Sequence, residues 1–307
     1  FAIKPMSCPG HIQVFNQGLK SYKDLPLKYA EFGIVHRNEP SGTLHGLLRI
    51  RAFTQDDAHI FCTPDQIEYE ISLLINDIKS IYEKFGFKDL KIELSTRPEK
   101  RVGSEEIWDK AESSLKKALE SNKIDFAVNP GDGAFYGPKI DFSLRDSLGR
   151  IWQLGTIQLD FSMPGRLDAS YIDSDGNKEV PVMIHRAILG SLERFVGILI
   201  EHYSGNIPLW LSPIQVILLN ITDSQSEYTS SINDQLIGLG FRSECDLSNE
   251  KIGYKIRNHA MTRVPYMIII GDKELQSKTV SVRDRAGSDL GTMTIEEFSE
   301  LIKKEID

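Results

Sequence analysis

Cysteine is scarce in this sequence of 307 residues, which contains only Cys8, Cys62 and Cys245. So few and so widely separated thiols exclude a disulfide framework and are typical of a reducing compartment. Long apolar runs are also missing, since stretches such as residues 264–270 are too short to cross a bilayer. We therefore expect a cytoplasmic protein that does not span a membrane.

A basic excess is missing as well: 36 Lys and Arg residues stand against 44 Asp and Glu residues, for a formal net charge of −8. Because phosphates are neutralised by cations on the contact face, nucleic-acid binding over the whole surface is not expected, and neither is a DNA partner. RNA contact would be confined to one basic face and would depend strongly on salt.

An initiator methionine and a signal peptide are absent too. The chain starts at Phe1, and nothing near it has the charged, apolar and small-residue layout of a leader. We expect the chain to begin partway through a larger protein. Its length, with 40% hydrophobic and 26% charged residues, fits two globular domains.

Helices are predicted at three places in the first two thirds of the chain. Apolar spacing predicts one from Gly10 to about Tyr22, with Leu19 on its packed side. A capping pattern at Thr63 opens a second, which ends near Gly86. A third surrounds residues 107–119.

Strands in the same region are predicted from alternating polarity. Residues 90–94 form one, and residues 140–144 and 150–161 form an antiparallel hairpin through the turn at 146–149. Strands joined by hairpins, with helices in separate blocks, favour an antiparallel α+β domain over a doubly wound one.

The pattern changes after residues 204–208, a Ser-Gly-Asn-Ile-Pro segment typical of a domain boundary. Beyond it strands alternate with helices, which favours a parallel or mixed sheet covered by helices. A hairpin and a capped helix from Thr294 close the chain. The strands are predicted at 215–221, 241–245 and 265–270, and the helices between them at 226–239 and 251–262.

Polar and charged side chains crowd into residues 31–59. A surface hairpin could carry them without any function. The segment nevertheless resembles motif 2 of class II aminoacyl-tRNA synthetases in the threonyl form. The resemblance is carried by EFG (31–33), HRNEPSG (36–42), LHGL (44–47), Arg49 and FTQDDAH (53–59). VPVMIHR (180–186) with GSLER (190–194) resembles motif 3, and KPM (4–6) with CPGH (8–11) extends the resemblance over essentially the whole chain.

The resemblance to threonyl-tRNA synthetases implies an architecture. Residues 1–204 would be a class II catalytic domain, an antiparallel sheet with flanking helices and ATP lying across it. Residues 205–307 would be a smaller α/β anticodon-binding domain. The upstream motif 1, which builds a homodimer interface in the family, and the N-terminal editing domain have no counterpart in the sequence.

The ATP site is implied by the same resemblance. Arg37 would clamp the α-phosphate and the reacting carboxylate, where negative charge builds as pyrophosphate leaves. Phe53, which could equally be a core residue, would sandwich the adenine with Arg194. Mg²⁺ would bridge the phosphates. The remaining ATP-site residues implied are Glu39 for the adenine amino group, Arg49 for the γ-phosphate, Gln153, and Lys139 as a catalytic residue.

The family's zinc ligands match Cys8, His59 and His185, one Zn²⁺ per chain. Read alone, a Cys is usually a small buried hydrophobe and a His a structural residue. Three ligands leave a position open, as a catalytic zinc requires.

Threonine would bind that open position through its amino and hydroxyl groups, with Asp57 accepting the hydroxyl proton. Valine cannot ligate, whereas serine loses only a methyl group, worth about 1–3 kcal/mol, so some misacylation with serine is expected. Gln55, Tyr136 and Gln158 would complete this pocket.

The anticodon of tRNA(Thr) would be recognised by Asn249, Arg263, Glu274 and Arg283. Alternatively these are solvated surface charges, the usual fate of Arg and Glu. Base edges in a single-stranded loop are what such side chains can recognise.

The implied function is that of a threonine–tRNA ligase, which forms threonyl-adenylate from L-threonine and ATP and transfers the threonyl group to the 3′-terminal adenosine of tRNA(Thr). Prolyl, histidyl and glycyl enzymes share the two-domain plan, but the zinc ligands and the QDDAH string count against them. A non-catalytic paralogue that binds RNA or regulates translation would be expected to lack a motif arginine, and Arg37 and Arg194 are both present.

Overall fold

The computed structural model describes residues 3–306, so Phe1, from which the expectation about the chain start was drawn, lies outside the described residues. The chain forms two compact units, Phe1–Glu201 and His202–Asp307, here called unit 1 and unit 2. Among the described residues, no helix combines the length and the apolar character needed to cross a membrane.

Unit 1 is built around a seven-stranded sheet. Neighbouring strands are antiparallel, apart from the parallel pair at one edge formed by the third and fourth strands. The strands are β1 (Leu27–His36), β2 (Ala52–Cys62), β3 (Lys91–Ser95), β4 (Ala127–Asn129), β5 (Lys139–Arg145), β6 (Ile151–Asp160) and β9 (Val182–Ser191), in the sheet order β1-β2-β9-β6-β5-β3-β4, with β7 (Tyr171–Ile172) and β8 (Lys178–Glu179) as a separate pair.

Three of the helices in unit 1 lie where apolar spacing predicts a helix, although the first is shorter than predicted. The longest buries one apolar stripe that includes Ile67, Ile71, Leu74 and Ile78, and a capping box at Thr63 precedes it, as predicted. The helices are α1 (Cys8–Phe15), α2 (Ile67–Lys84), α3 (Glu105–Ser121), α4 (Met163–Arg166) and α5 (Leu192–His202), with 3₁₀ turns at Tyr22–Asp24, Ser41–Thr43 and Pro64–Gln66.

The predicted extent of α1 is wrong. The helix ends at Phe15 instead of continuing to Tyr22, and Leu19 is 88% exposed. Gly18 has φ +80°, a left-handed conformation that cannot continue an α-helix. Ile12 and Phe15 of the expected apolar face are buried, together with Cys8 and His11.

Unit 2 is a five-stranded mixed sheet covered by helices, as predicted. Its first three strands in sheet order are parallel and the last two are antiparallel. The strands are β10 (Val216–Asn220), β11 (Ser243–Asp246), β12 (Tyr266–Ile270), β13 (Val280–Asp284) and β14 (Asp289–Met293), in the order β11-β10-β12-β13-β14. The helices are α6 (Ser226–Gly238), α7 (Ile252–Met261), α8 (Asp272–Ser277) and α9 (Ile295–Ile306), with 3₁₀ turns at Leu209–Leu211 and Asp223–Gln225.

Candidate functional site

A cavity of about 580 Å³ opens in unit 1. Every residue of this unit for which a role in binding or catalysis is predicted lines it, except His59, which is completely buried. The lining residues in question are Cys8, Arg37, Glu39, Arg49, Phe53, Gln55, Asp57, Tyr136, Lys139, Gln153, Gln158, His185 and Arg194.

Strand register explains how residues so distant in sequence meet. His59 of β2 pairs with His185 of β9, His185 pairs with Gln158 of β6, and Gln158 pairs with Lys139 of β5. Directly paired residues of an antiparallel sheet project their side chains to the same face. Four neighbouring strands therefore place these four side chains in one row across the sheet.

One end of the cavity holds a cysteine and two histidines. Nε2 of His59 lies 3.1 Å from Nδ1 of His185, and the ligand atoms of Cys8, His59 and His185 all lie within 4.8 Å of one another. Cys8 is the first residue of α1, where the helix dipole favours negative charge. All three side chains are buried.

This donor set fits a zinc ion. At a zinc–nitrogen distance of about 2.0–2.1 Å, tetrahedral geometry separates two nitrogen ligands by roughly 3.3–3.4 Å, close to the separation of the two imidazoles. Nε2 of His185 lies 3.1 Å from the Asp160 carboxylate, the kind of outer partner that ligating histidines use. Asp57, whose Oδ1 is 3.7 Å from Nε2 of His59, sits beside the cluster.

The two histidines have different electrostatic surroundings. Burial, and then the charges of His185 and His11, lower the pKa of His59, so this imidazole is neutral. Burial also lowers the pKa of His185, but hydrogen bonds to Asp160 and Cys8 outweigh it and raise the pKa to about 10. Burial raises the pKa of Asp57, against the attraction of His185. A cation held by this cluster would therefore compete with a proton on His185.

The other end of the cavity is rich in arginine. The Arg37 guanidinium lies 5.2 Å from the centroid of the Phe53 ring. Arg49 pairs with Glu39 at 3.0 Å. These two oppositely charged side chains neutralise each other at the position where phosphate and adenine contacts are predicted.

Arg194 contacts Trp152 and two backbone carbonyl groups. Its guanidinium is over Trp152, 5.5 Å from the ring centroid, and donates to the carbonyl oxygens of Leu48 and Gln153 at 2.7 Å each. Burial, and then the nearby Arg49 charge, lower the pKa of Arg194. Phe53 and Arg194 both line the cavity, and the adenine sandwich between them stays a prediction.

The remaining predicted residues line the middle of the cavity. Lys139 forms an ion pair with Asp141 at 2.8 Å. Gln158 donates to the carbonyl oxygen of Gly137 at 3.2 Å, and burial raises the pKa of Tyr136.

Comparisons with known proteins agree with this geometry. Residues 1–203 match the model of the tRNA synthetase class II core domain (G, H, P, S and T), and residues 214–305 match that of the anticodon binding domain. The threonine–tRNA ligase of Halorhodospira halophila is 61% identical over 306 residues, covering 100% of this chain and 48% of that protein. The crystal structure of the RNA binding domain of threonyl-tRNA synthetase from Cryptosporidium parvum Iowa II superposes with a TM-score of 0.91 and 44% identity, covering 98% of this chain and 76% of that one.

The chain belongs to the threonyl-tRNA synthetase family. It spans about half the length of the curated relatives it matches. A prolyl-tRNA synthetase from Cryptosporidium parvum shares the fold alone, with a TM-score of 0.72 and 19% identity over 99% of this chain and 58% of that one. The predicted family and the predicted α+β fold followed by a smaller α/β domain are confirmed.

In unit 2 of this synthetase chain, the four residues predicted to read an anticodon lie at the two ends of the sheet. Asn249 follows the carboxyl end of β11, and Glu274 follows the carboxyl end of β12. Because both strands run parallel to β10, these two residues lie at the same end of the sheet. Arg263 precedes β12, and Arg283 of β13 pairs with Met267 near the start of β12.

These four residues also differ in their freedom. Asn249 and Arg263 are exposed, and Arg263 lines an open cavity of about 410 Å³. Glu274 accepts a hydrogen bond from the Gly271 amide at 2.9 Å and so helps to begin α8. Arg283 is partly buried, with its Nε unpartnered.

Sequence reasoning missed several residues that shape the site. The Trp152 ring supports the guanidinium of Arg194. The Asp56 carboxylate accepts hydrogen bonds from the backbone amides of Ile188, Leu189 and Gly190 at 2.8–3.0 Å, and these bonds fix the bulged end of β9. His11, whose role the sequence left open, contacts His59. No local signal marks these roles, because each depends on a partner more than 40 residues away.

Proposed function

We propose that the protein is a threonine–tRNA ligase that activates L-threonine with ATP and transfers the threonyl group to the 3′-terminal adenosine of tRNA(Thr). The observation that carries the proposal is one cavity with a Cys-His-His cluster at one end and arginines at the other. Residues 1–204 would be the catalytic domain and residues 205–307 the anticodon-binding domain.

The metal would be held by Cys8, His59 and His185. A zinc ion held there would supply a Lewis acid for the amino and hydroxyl groups of threonine. Asp57, whose carboxylate lies 3.7 Å from His59, would accept the hydroxyl proton of the substrate. Gln55, Tyr136 and Gln158 line the adjoining wall and would enclose the rest of the amino acid.

Arg37 would bind the α-phosphate and the attacking carboxylate and would stabilise the negative charge that builds as pyrophosphate leaves. A cationic donor aimed at the position where negative charge develops stabilises the transition state more than the ground state. Glu39 and Arg49 would exchange their mutual ion pair for the adenine amino group and the γ-phosphate, and Phe53, Arg194 and Gln153 would hold the base. Lys139 would assist the transfer, and Mg²⁺ would accompany the phosphates.

We further propose tRNA(Thr) as the partner of unit 2, read by Asn249, Arg263, Glu274 and Arg283, and a cytoplasmic homodimer as the working form. The family resemblance supports both proposals. A non-catalytic paralogue is disfavoured because Arg37 and Arg194 are retained and line the cavity.

The proposal is tested by ATP–pyrophosphate exchange on the full-length protein with threonine, serine, valine and proline, with zinc measured on the same sample. We expect exchange with threonine, weaker exchange with serine, none with valine or proline, and about one zinc per chain. A folded, zinc-loaded protein without exchange for any amino acid would favour the RNA-binding paralogue instead.

A further inference from the structure

The imidazole of His59 is contacted on both of its nitrogens. Nε2 faces His185 and the cavity, while Nδ1 lies 2.6 Å from Nδ1 of His11. The two rings meet edge to face, with centroids 4.7 Å apart. His59 is 0% exposed and His11 is 9% exposed, so solvent cannot replace this contact.

Metal binding through Nε2 restricts where the proton of His59 can be. A neutral imidazole carries one proton, and a nitrogen that ligates a metal cannot carry it. The proton must then be on Nδ1, where a buried donor without an acceptor would destabilise the site. Among the described residues, the atom within hydrogen-bond distance of that donor is Nδ1 of His11.

The surroundings of His11 match the role of an acceptor. If its Nδ1 accepts, its own proton is on Nε2, and this nitrogen faces the Glu31 carboxylate at 3.6 Å. Lys4 pairs with the same carboxylate at 3.3 Å. The carboxylate therefore favours the tautomer of His11 that leaves its Nδ1 free to accept.

We propose that His11 is a positioning residue that holds His59 in the tautomer that binds the metal. The proposal deepens the proposed function and rests on its metal site. Cys8 and His11 are three residues apart on α1 and therefore lie on one face of the helix. A single turn of α1 would thus provide one ligand directly and support a second, as Asp160 supports His185.

The test measures zinc affinity by chelator competition on the full-length protein, together with the melting temperature of the metal-free form. Outer partners of metal ligands typically change affinity by about 10- to 100-fold. We expect His11→Phe, which fills the space but offers no acceptor, to lower the zinc affinity by that factor. His11→Gln, whose amide oxygen can accept, should stay within about threefold of the wild type.

The two variants separate hydrogen bonding from packing. If His11→Phe binds zinc as tightly as the wild type, or if both variants lose affinity equally at unchanged melting temperature, the proposal is overturned. Asp160→Asn is the positive control, since it weakens the partner of the other histidine. Failure of the proposed function is distinct: the wild-type protein would then hold no zinc or would not activate threonine.

Discussion

The two units arrange their polar side chains in opposite ways. In unit 1, strands far apart in sequence carry them into one cavity, through the register of β2, β9, β6 and β5. In unit 2, the predicted contact residues lie at the two ends of the sheet, two of them in loops, and the charged side chain of Lys255 is buried. Pairing between antiparallel strands can bring side chains that are distant in sequence into one cavity, whereas residues at opposite ends of a sheet remain apart.

The largest effect should come from breaking the arginine end of the unit 1 cavity. Arg37→Ala removes the donor at the developing charge, and we expect exchange to fall by about 10²–10³-fold. Arg51 is the matched control, because it donates to the carbonyl oxygen of Glu39 and to Ser41 and does not line the cavity. Pyrophosphate exchange is the measurement, and an equal loss in Arg51→Ala would contradict the role given to Arg37.

A substitution at the Cys-His-His end of the cavity should abolish zinc binding without weakening ATP binding. Cys8→Ala removes the thiolate, so we expect loss of zinc and a fall of about 100-fold in threonine-dependent exchange, while ATP affinity changes little. Zinc analysis and nucleotide titration measure the two properties. Cys245→Ala, in unit 2, is the matched control and should retain the metal; zinc retained by Cys8→Ala would rule out the proposed ligand set.

In unit 2, a buried lysine should affect the stability of the fold. Lys255 is 1% exposed and donates to the side chain of Asn220 at 2.8 Å and to the Asp246 carbonyl oxygen at 2.9 Å, which ties the ends of β10 and β11 together. Lys255→Met leaves these acceptors unpaired, and we expect a loss of about 2–3 kcal/mol in the free energy of unfolding. Urea unfolding measures it, with the exposed Lys251→Met as the control; equal stability of the two variants would refute a structural role for Lys255.

The smallest effect should come from one exposed residue of unit 2. Arg263→Ala should raise the KM for tRNA about 10-fold and leave exchange unaltered, because a single base contact is worth about 1–3 kcal/mol. Arg257→Ala is matched, since Arg257 lines the same open cavity. Aminoacylation at two salt concentrations is the measurement; an equal loss in both variants would indicate general phosphate attraction instead of base recognition.

Local patterns were sufficient to predict α2, the β5–β6 hairpin and the alternation of unit 2, because each is decided by neighbouring residues. The ligands and motif arginines followed from family resemblance. The row formed by His59, His185, Gln158 and Lys139 could not be predicted from local periodicity, since it depends on pairing between strands as far apart as β2 and β9. The predicted α1 is too long because apolar residues continue at helical spacing to Leu19, whereas the helix ends at Phe15 and Gly18 is left-handed.

The proposed zinc site and its binding of threonine can be tested by X-ray absorption at the zinc edge of the full-length protein, with and without amino acid. We predict one sulfur at about 2.3 Å and two imidazole nitrogens at about 2.0–2.1 Å, with the light-atom ligands altered by threonine and not by valine. A zinc ion without a sulfur ligand, or one whose spectrum threonine leaves unchanged, would contradict it.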